Sequence, residues 1–261
     1  GTTTIPTTLP TTGPTTLPTE PPVVKVGTAT IAAMGDMLMH LPCIVAAKTS
    51  DGYDFTPFFR YLQDYIQDAD YAVANLETTL AGADYVHSSG KVGYSGYPGF
   101  NCPDEIVTSL KGSGFDMLLT ANNHTYDYGE QGLRDTIAAL EGANIEWFGT
   151  HDRHTTDTEK FLFYEKDGVT ICLMSLYWDD YLQGQKDGCG AFLSDEIARI
   201  KKEGEADAVI AILHGGQEYG RHATNPQKVF TKMAFGAGAD LVICHHAHVV
   251  MGMDVIGNRS A

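Results

Sequence analysis

Basic residues are scarce in this chain of 261 residues: 17 lysines and arginines stand against 33 aspartates and glutamates, a net charge of −16. That balance repels nucleic-acid phosphates and anionic lipid, so no nucleic-acid partner is expected. Long apolar runs are also lacking. Neither a signal peptide nor a transmembrane run is present, and since the chain opens on Gly1 rather than methionine, a targeting segment is expected to precede it. Cysteine is sparse: Cys43, Cys102, Cys172, Cys189 and Cys244 are scattered without C-x-x-C spacing, which argues against a zinc cage or a disulfide frame. Cys172 and Cys244 lie within apolar, strand-like runs, and the set reads as buried thiols.

Apolar residues are rarest at the N-terminus, where the chain reads GTTTIPTTLPTTGPTTLPTEPP with TTLP repeated at Thr7–Pro10 and Thr15–Pro18. Residues 1–24 are expected to be a disordered Thr/Pro linker, because they offer no core and their prolines favour polyproline II at about 3 Å per residue. Such a spacer suits a stalk that tethers a domain to a membrane surface. Residues 25–261 have the composition of one globular domain.

Within that domain strands alternate with helices. Strands are expected at Thr28–Met34, Tyr71–Ala74, Phe115–Thr120, Asp207–Leu213 and from Leu241, with a hairpin of Phe161–Tyr164 and Val169–Ser175 about Lys166-Asp167-Gly168. Helices are expected at Pro57–Asp68, from Pro103 to about Lys111, at Gly129–Glu141, from a Ser194 cap to Lys202, and at Pro226–Gly236. A Gly-, Ser- and Tyr-rich loop fills Gly82–Gly99.

The residues that stand out are three histidines in four positions, His245, His246 and His248, directly after the apolar run Leu241-Val242-Ile243. Imidazole suits zinc, manganese and iron, and an H-x-H pair aims both rings at one cavity if the segment turns sharply. A solvated loop would carry the same residues, but Asp36, Glu77, Asn123 and His214 also follow expected strands. In α/β sheets the ligand crevice lies beyond the carboxyl ends of the strands, where such residues converge. A mixed oxygen and nitrogen set fits Mn, Fe or Zn better than Ca or Mg.

These motifs resemble the CapA-type bacterial capsule synthesis family linked to poly-gamma-glutamate, similar in fold to calcineurin-like metallophosphoesterases. The resemblance covers about Thr30 to Gly257 and rests on Gly35-Asp36, Asn75-Leu76-Glu77, A-N-N-H-x-x-D-x-G at Ala121–Gly129, H-G-G-x-E-Y at His214–Tyr219, A-G-A-D at Ala237–Asp240 and H-H-x-H-V at His245–Val249. It implies a four-layer αββα sandwich. It further implies metal ligands at Asp36, Glu77, Asn123, His214, His246 and His248, with His124 as general acid and Asp127 orienting its ring. Glu218 and Arg221, close behind His214, are expected to face the same crevice and bind substrate. The implied setting is extracellular and anchored at the cell surface. The implied activity is metal-dependent hydrolysis of a phosphoester in capsule or poly-gamma-glutamate synthesis or processing. Two alternatives stay open: a non-catalytic module that binds an anionic envelope polymer, and a hydrolase of gamma-glutamyl amides.

Two departures from the phosphoesterase pattern change the metal expectation. Its first motif is D-x-H, but this chain reads Asp36-Met37-Leu38, with no histidine before His40; the bridging carboxylate is Glu77 rather than aspartate. One tight metal and a second, weak one are therefore expected. The chain is also expected to lack the family's C-terminal strand beyond the Asn258 region.

Overall fold

The structure is a computed structural model that describes residues 27–150, 161–178, 189–257 and 259–260. The linker expected over residues 1–24 lies outside them. The strands are β1 (Ile31–Asp36), β2 (Tyr71–Asn75), β3 (Met117–Leu119), β4 (Glu146–Phe148), β5 (Phe161–Lys166), β6 (Val169–Tyr177), β7 (Ala208–His214), β8 (Leu241–His245), β9 (Val255–Ile256) and β10 (Arg259–Ser260). The helices are α1 (Leu41–Ala47), α2 (Thr56–Phe59), α3 (Gln63–Gln67), α4 (Glu105–Ser113), α5 (Gly129–Gly142), α6 (Cys189–Glu203) and α7 (Asn225–Ala237).

Two sheets form. The first has the order β1-β2-β3-β4, all parallel, and the second the order β5-β6-β7-β8-β10-β9, parallel from β6 to β8 and on to β10. A strand covered on both faces reads as a continuous apolar run, and its alternate residues enter different cores. On β7, Val209, Ala211 and Leu213 pack with Ile197 and Ile200 of α6 and Phe230 of α7, while Ile210 and Ile212 point the other way. Those two meet Val73, Met117 and Leu119 of the first sheet, whose opposite face, with Ala72, Ala74 and Leu118, is covered by α1 to α5. Three apolar layers thus separate four structural layers, an αββα sandwich.

Several boundaries differ from expectation. The helix expected over Pro57–Asp68 is two short helices, because Leu62 donates its backbone N–H to the carbonyl of Phe59 and tightens a turn between them. Ser194 does not cap α6, which starts at Cys189. Pro103 lies just outside α4, whose N-cap is Asp104. The short strand β4 carries little periodicity and had no counterpart in the sequence pattern. The β5–β6 hairpin turns where expected, with Asp167 and Gly168 at φ 51° and 77°, as a two-residue left-handed turn requires. Cys102 and Cys172 are buried, Cys43 and Cys244 are half-buried, and the side chain of Cys189 lies outside the described residues.

Candidate metal centre

Asp36, Asn75, His214 and His245 are the last residues of β1, β2, β7 and β8, so both sheets deliver polar side chains to one end of the sandwich. Asp36 Oδ2 lies 3.0 Å from His248 Nδ1 and accepts the backbone N–H of His246 at 3.0 Å. Its Oδ1 accepts a hydrogen bond from Asn75 Nδ2 at 2.8 Å and faces His214 Nδ1 at 3.6 Å and His245 Nδ1 at 3.9 Å. On the other side of its ring, His214 Nε2 lies 2.8 Å from Asn123 Oδ1, 3.1 Å from His246 Nδ1 and 3.5 Å from Glu77 Oε1. His248 Nε2 is 3.8 Å from the same Glu77 oxygen. The six residues expected as ligands are thus brought together.

The histidine loop turns as the H-x-H spacing needs. His246 and His248 have φ values of 87° and 52°, a left-handed backbone that is strained for side chains of this size. The strain is held by two backbone donors: His246 N–H to Asp36, and Tyr219 N–H to Ala247 O at 2.7 Å.

Beside the cluster, His124 Nδ1 meets Asp127 Oδ2 at 2.7 Å, while its Nε2 faces Glu77 Oε1 at 3.9 Å. Asp127 also accepts the backbone N–H of Phe100, whose ring packs edge-on against His124. Glu218 is exposed, within ligand distance of His246 and His248. Arg221 is exposed too, and no hydrogen bond or ion pair joins it to the cluster among the described residues. His40 does not reach the cluster: it precedes α1, exposed, with its ring against Phe100.

Three residues belong to the site beyond those expected as ligands or catalytic groups. Asn75 reads in sequence as a turn-former, yet it bonds Asp36 and lies 3.2 Å from His214 Nδ1. Asn122 holds Asn75 Oδ1 and the carbonyl of Leu76 through its Nδ2, and its Oδ1 accepts the N–H of His124. His245, part of the histidine cluster but not of the H-x-H pair, faces Asp36.

The electrostatics follow from burial set against this crowding. Burial opposes the charge on Asp36, but hydrogen bonding toward His214 and His248, with the charge of His214 and His245, outweighs it and holds the carboxyl far below its usual range. Glu77 goes the other way: burial dominates and raises it despite the histidines. Burial pushes His214 down, yet Asp36 and Glu77 more than compensate and leave it raised; the hydrogen bond to Asp36 raises His248. Burial lowers His246, and brings His245 down to about 4.

The donor set fits a divalent metal on one further observation. Glu77 is 0 % exposed, and neither of its carboxylate oxygens accepts a hydrogen bond. A buried carboxylate in that state is tolerated when it binds a cation. Candidate ligand groups are Glu77, His214 and His246; Asp36, Glu77 and His248; Asp36, His214 and His245; and Glu218, His246 and His248.

The fold is that of the metallophosphoesterase-like sandwiches. A Staphylococcus aureus protein described as a candidate 5′-nucleotidase, solved with alpha-ketoglutarate, superposes with a TM-score of 0.53 at 14% identity over 88% of this chain and 47% of its own. A hypothetical protein from Thermus thermophilus superposes with a TM-score of 0.50 at 16% identity, over 87% of this chain and 72% of its own. The model of the bacterial capsule synthesis protein family PGA_cap matches residues 30–260, and the chain belongs to that family. It is 29% identical over 242 residues to the capsule biosynthesis protein CapA of Bacillus anthracis, covering 87% of this chain and 56% of the relative. It is 28% identical over 251 residues to the PGA biosynthesis protein CapA of Bacillus subtilis, covering 90% and 62%. The chain therefore spans a little over half the length of these relatives.

Proposed function

We propose that this chain is a metal-dependent hydrolytic domain that works in capsule or poly-gamma-glutamate synthesis or processing, outside the cell and tethered to its surface through the N-terminal linker. Family membership and the names of the Bacillus relatives support the setting. No helix of the described residues is long and apolar enough to cross a membrane. The single observation that carries the chemistry is Glu77, a buried carboxylate with no hydrogen bond, ringed by nitrogens of His124, His214 and His248.

Glu77, Asn123, His214 and His246 would hold one Mn, Fe or Zn ion tightly. Asp36, Glu77 and His248 would hold a second more weakly, having one donor fewer. Such ions supply Lewis acidity toward the oxygens of a phosphoester. His124 keeps Nε2 turned to the same space while Asp127 fixes its other nitrogen, an arrangement suited to protonating a leaving oxygen. Glu218, exposed beside His246 and His248, would face an incoming substrate.

The test is elemental analysis of the purified chain, then turnover of a panel of phosphomonoesters, phosphodiesters and gamma-glutamyl peptides with and without added Mn. Mn-dependent phosphoester cleavage is expected. Cleavage of gamma-glutamyl amides alone would move the reaction to a carbonyl. Turnover of neither class, with no metal retained, would leave a polymer-binding module.

A further inference from the structure

Behind the candidate ligands stand two buried amides that are not among them: Asn75 at the end of β2, 1 % exposed, and Asn122 just past β3, 4 % exposed. We infer that both are positioning residues acting as one unit: Asn122 fixes which way round Asn75 stands, and Asn75 in turn aims Asp36 and His214 at the crevice. The inference rests on the reading of the site as a metal centre.

An amide side chain has a donating and an accepting end of nearly equal shape, so only its partners decide its orientation. For Asn122 those partners are backbone groups. Its Nδ2 donates to the carbonyl of Leu76 at 2.8 Å, and its Oδ1 accepts the N–H of His124 at 3.0 Å. Neither backbone group can change role, so the second N–H of Nδ2 is left for Asn75 and holds its Oδ1 at 3.1 Å. Asn75 then turns its own Nδ2 to the crevice, 2.8 Å from Asp36 Oδ1 and 3.2 Å from His214 Nδ1. Reversed, it would set its oxygen against the Asp36 carboxylate and its amide hydrogens against those of Asn122, two repulsions at a buried site where unpaired polar groups are costly. Asp36 ends β1 and His214 ends β7, so this one amide spans both sheets. The Asn122 side chain also fixes the main chain next to two further candidate ligands: Leu76 precedes Glu77, and His124 follows Asn123. Removing an outer partner that orients metal ligands typically costs about 10–100-fold in metal affinity.

The experiment uses the full chain, stripped with chelator and titrated with Mn by calorimetry; metal-free melting curves establish that each variant is folded. Asn75→Ala and Asn122→Ala should each weaken Mn binding by about 10–100-fold. Since Asn122 acts through Asn75, the double variant should bind no more than about threefold worse than the weaker single one, rather than by the product of the two losses. Thr136→Val is the structural control. It removes buried hydrogen bonds to the N–H of Leu80 and the carbonyl of Gly132, which involve no candidate ligand, and should lower the melting temperature while Mn affinity stays at the wild-type value. Asn122→Asp keeps the volume and the acceptor for His124, and it serves where alanine does not fold. Its added negative charge alone would tighten a bound cation, whereas loss of the Nδ2 donors should loosen Mn by about tenfold. Wild-type Mn affinity in folded Asn75→Ala, losses that multiply in the double variant, an equal loss in Thr136→Val, or tighter Mn in Asn122→Asp would each overturn the assignment. A wild type that binds no Mn would overturn the metal reading itself, an outcome distinct from these.

Discussion

Burying the Glu77 carboxylate without a hydrogen bond costs free energy in the metal-free chain, and burial lifts its pKa accordingly. Glu77→Gln removes that cost and a ligand together. In chelator it should melt a few degrees higher, about 1–2 kcal/mol, while losing most of the stabilisation by Mn. Melting curves with and without Mn decide it; a variant less stable in both conditions would contradict the argument. His214 and His248 carry raised pKa values from their carboxylate neighbours, so protons on them favour the metal-free fold. That contribution is complete below the unfolded histidine value and is lost as pH rises through the raised folded values. Metal needs both rings neutral. Mn should therefore bind more tightly as pH rises from about 6 to about 8 and release protons into a weakly buffered solution; pH-independent affinity with no proton release would refute this. For His124→Ala, turnover should drop by about 10²–10⁴ with a poorly leaving alcohol and far less with a nitrophenol, at unchanged metal content.

At the scale of elements, α7 and the loop before it hold one wall of the crevice. Thr224 and Gln227 form a capping box at the start of α7, and Gln227 is buried against the loop. A Cβ on Gly216 would sit 2.8–3.0 Å from the Gln227 side chain, at a φ of 130° that only glycine adopts readily. Gly216→Ala should therefore destabilise the fold by about 1–3 kcal/mol and displace Glu218 and Tyr219, which pins the histidine loop. Reduced thermal stability together with weakened Mn binding is the expected pair of results. Unchanged Mn affinity would show that the loop is not coupled to the centre. The long, strongly patterned elements were legible from sequence: β7, α5 and α7 fall within a residue or so of expectation. The break between α2 and α3 was not, since the helical spacing continues across it and only packing decides where the backbone tightens.

Across the whole molecule, the candidate ligands come from both sheets: Asp36 ends β1 while Glu77 and Asn123 follow β2 and β3 of the first, and His214 ends β7 while His246 and His248 follow β8 of the second. A bound ion would tie the two sheets together beyond the apolar layer and the hydrogen bonds already between them, such as His246 N–H to Asp36 and Tyr164 O–H to the carbonyl of Asp70. Met117→Ala, in the layer between the sheets, should cost about 2–5 kcal/mol. Mn at a hundred times its Kd should restore about 2.7 kcal/mol. Unfolding in chelator and in Mn measures both quantities, and Met117→Ala stability unmoved by Mn would show that no ion bridges the sheets.

Sequence alone determined the alternation of strands and helices and the polar residue waiting at each strand end, because burial on both faces demands apolar runs and polar groups must fall where those runs stop. It also carried the H-x-H pair and the missing histidine at Leu38. Tertiary structure decided what sequence spacing cannot encode. The register of β7 with β8 sets His245 beside His214, the left-handed backbone at His246 and His248 turns two rings inward, and the meeting of two sheets buries Glu77 without a hydrogen bond among the rings of His124, His214 and His248. Each of these depends on partners distant in the chain, so it exists only once the sheets have packed.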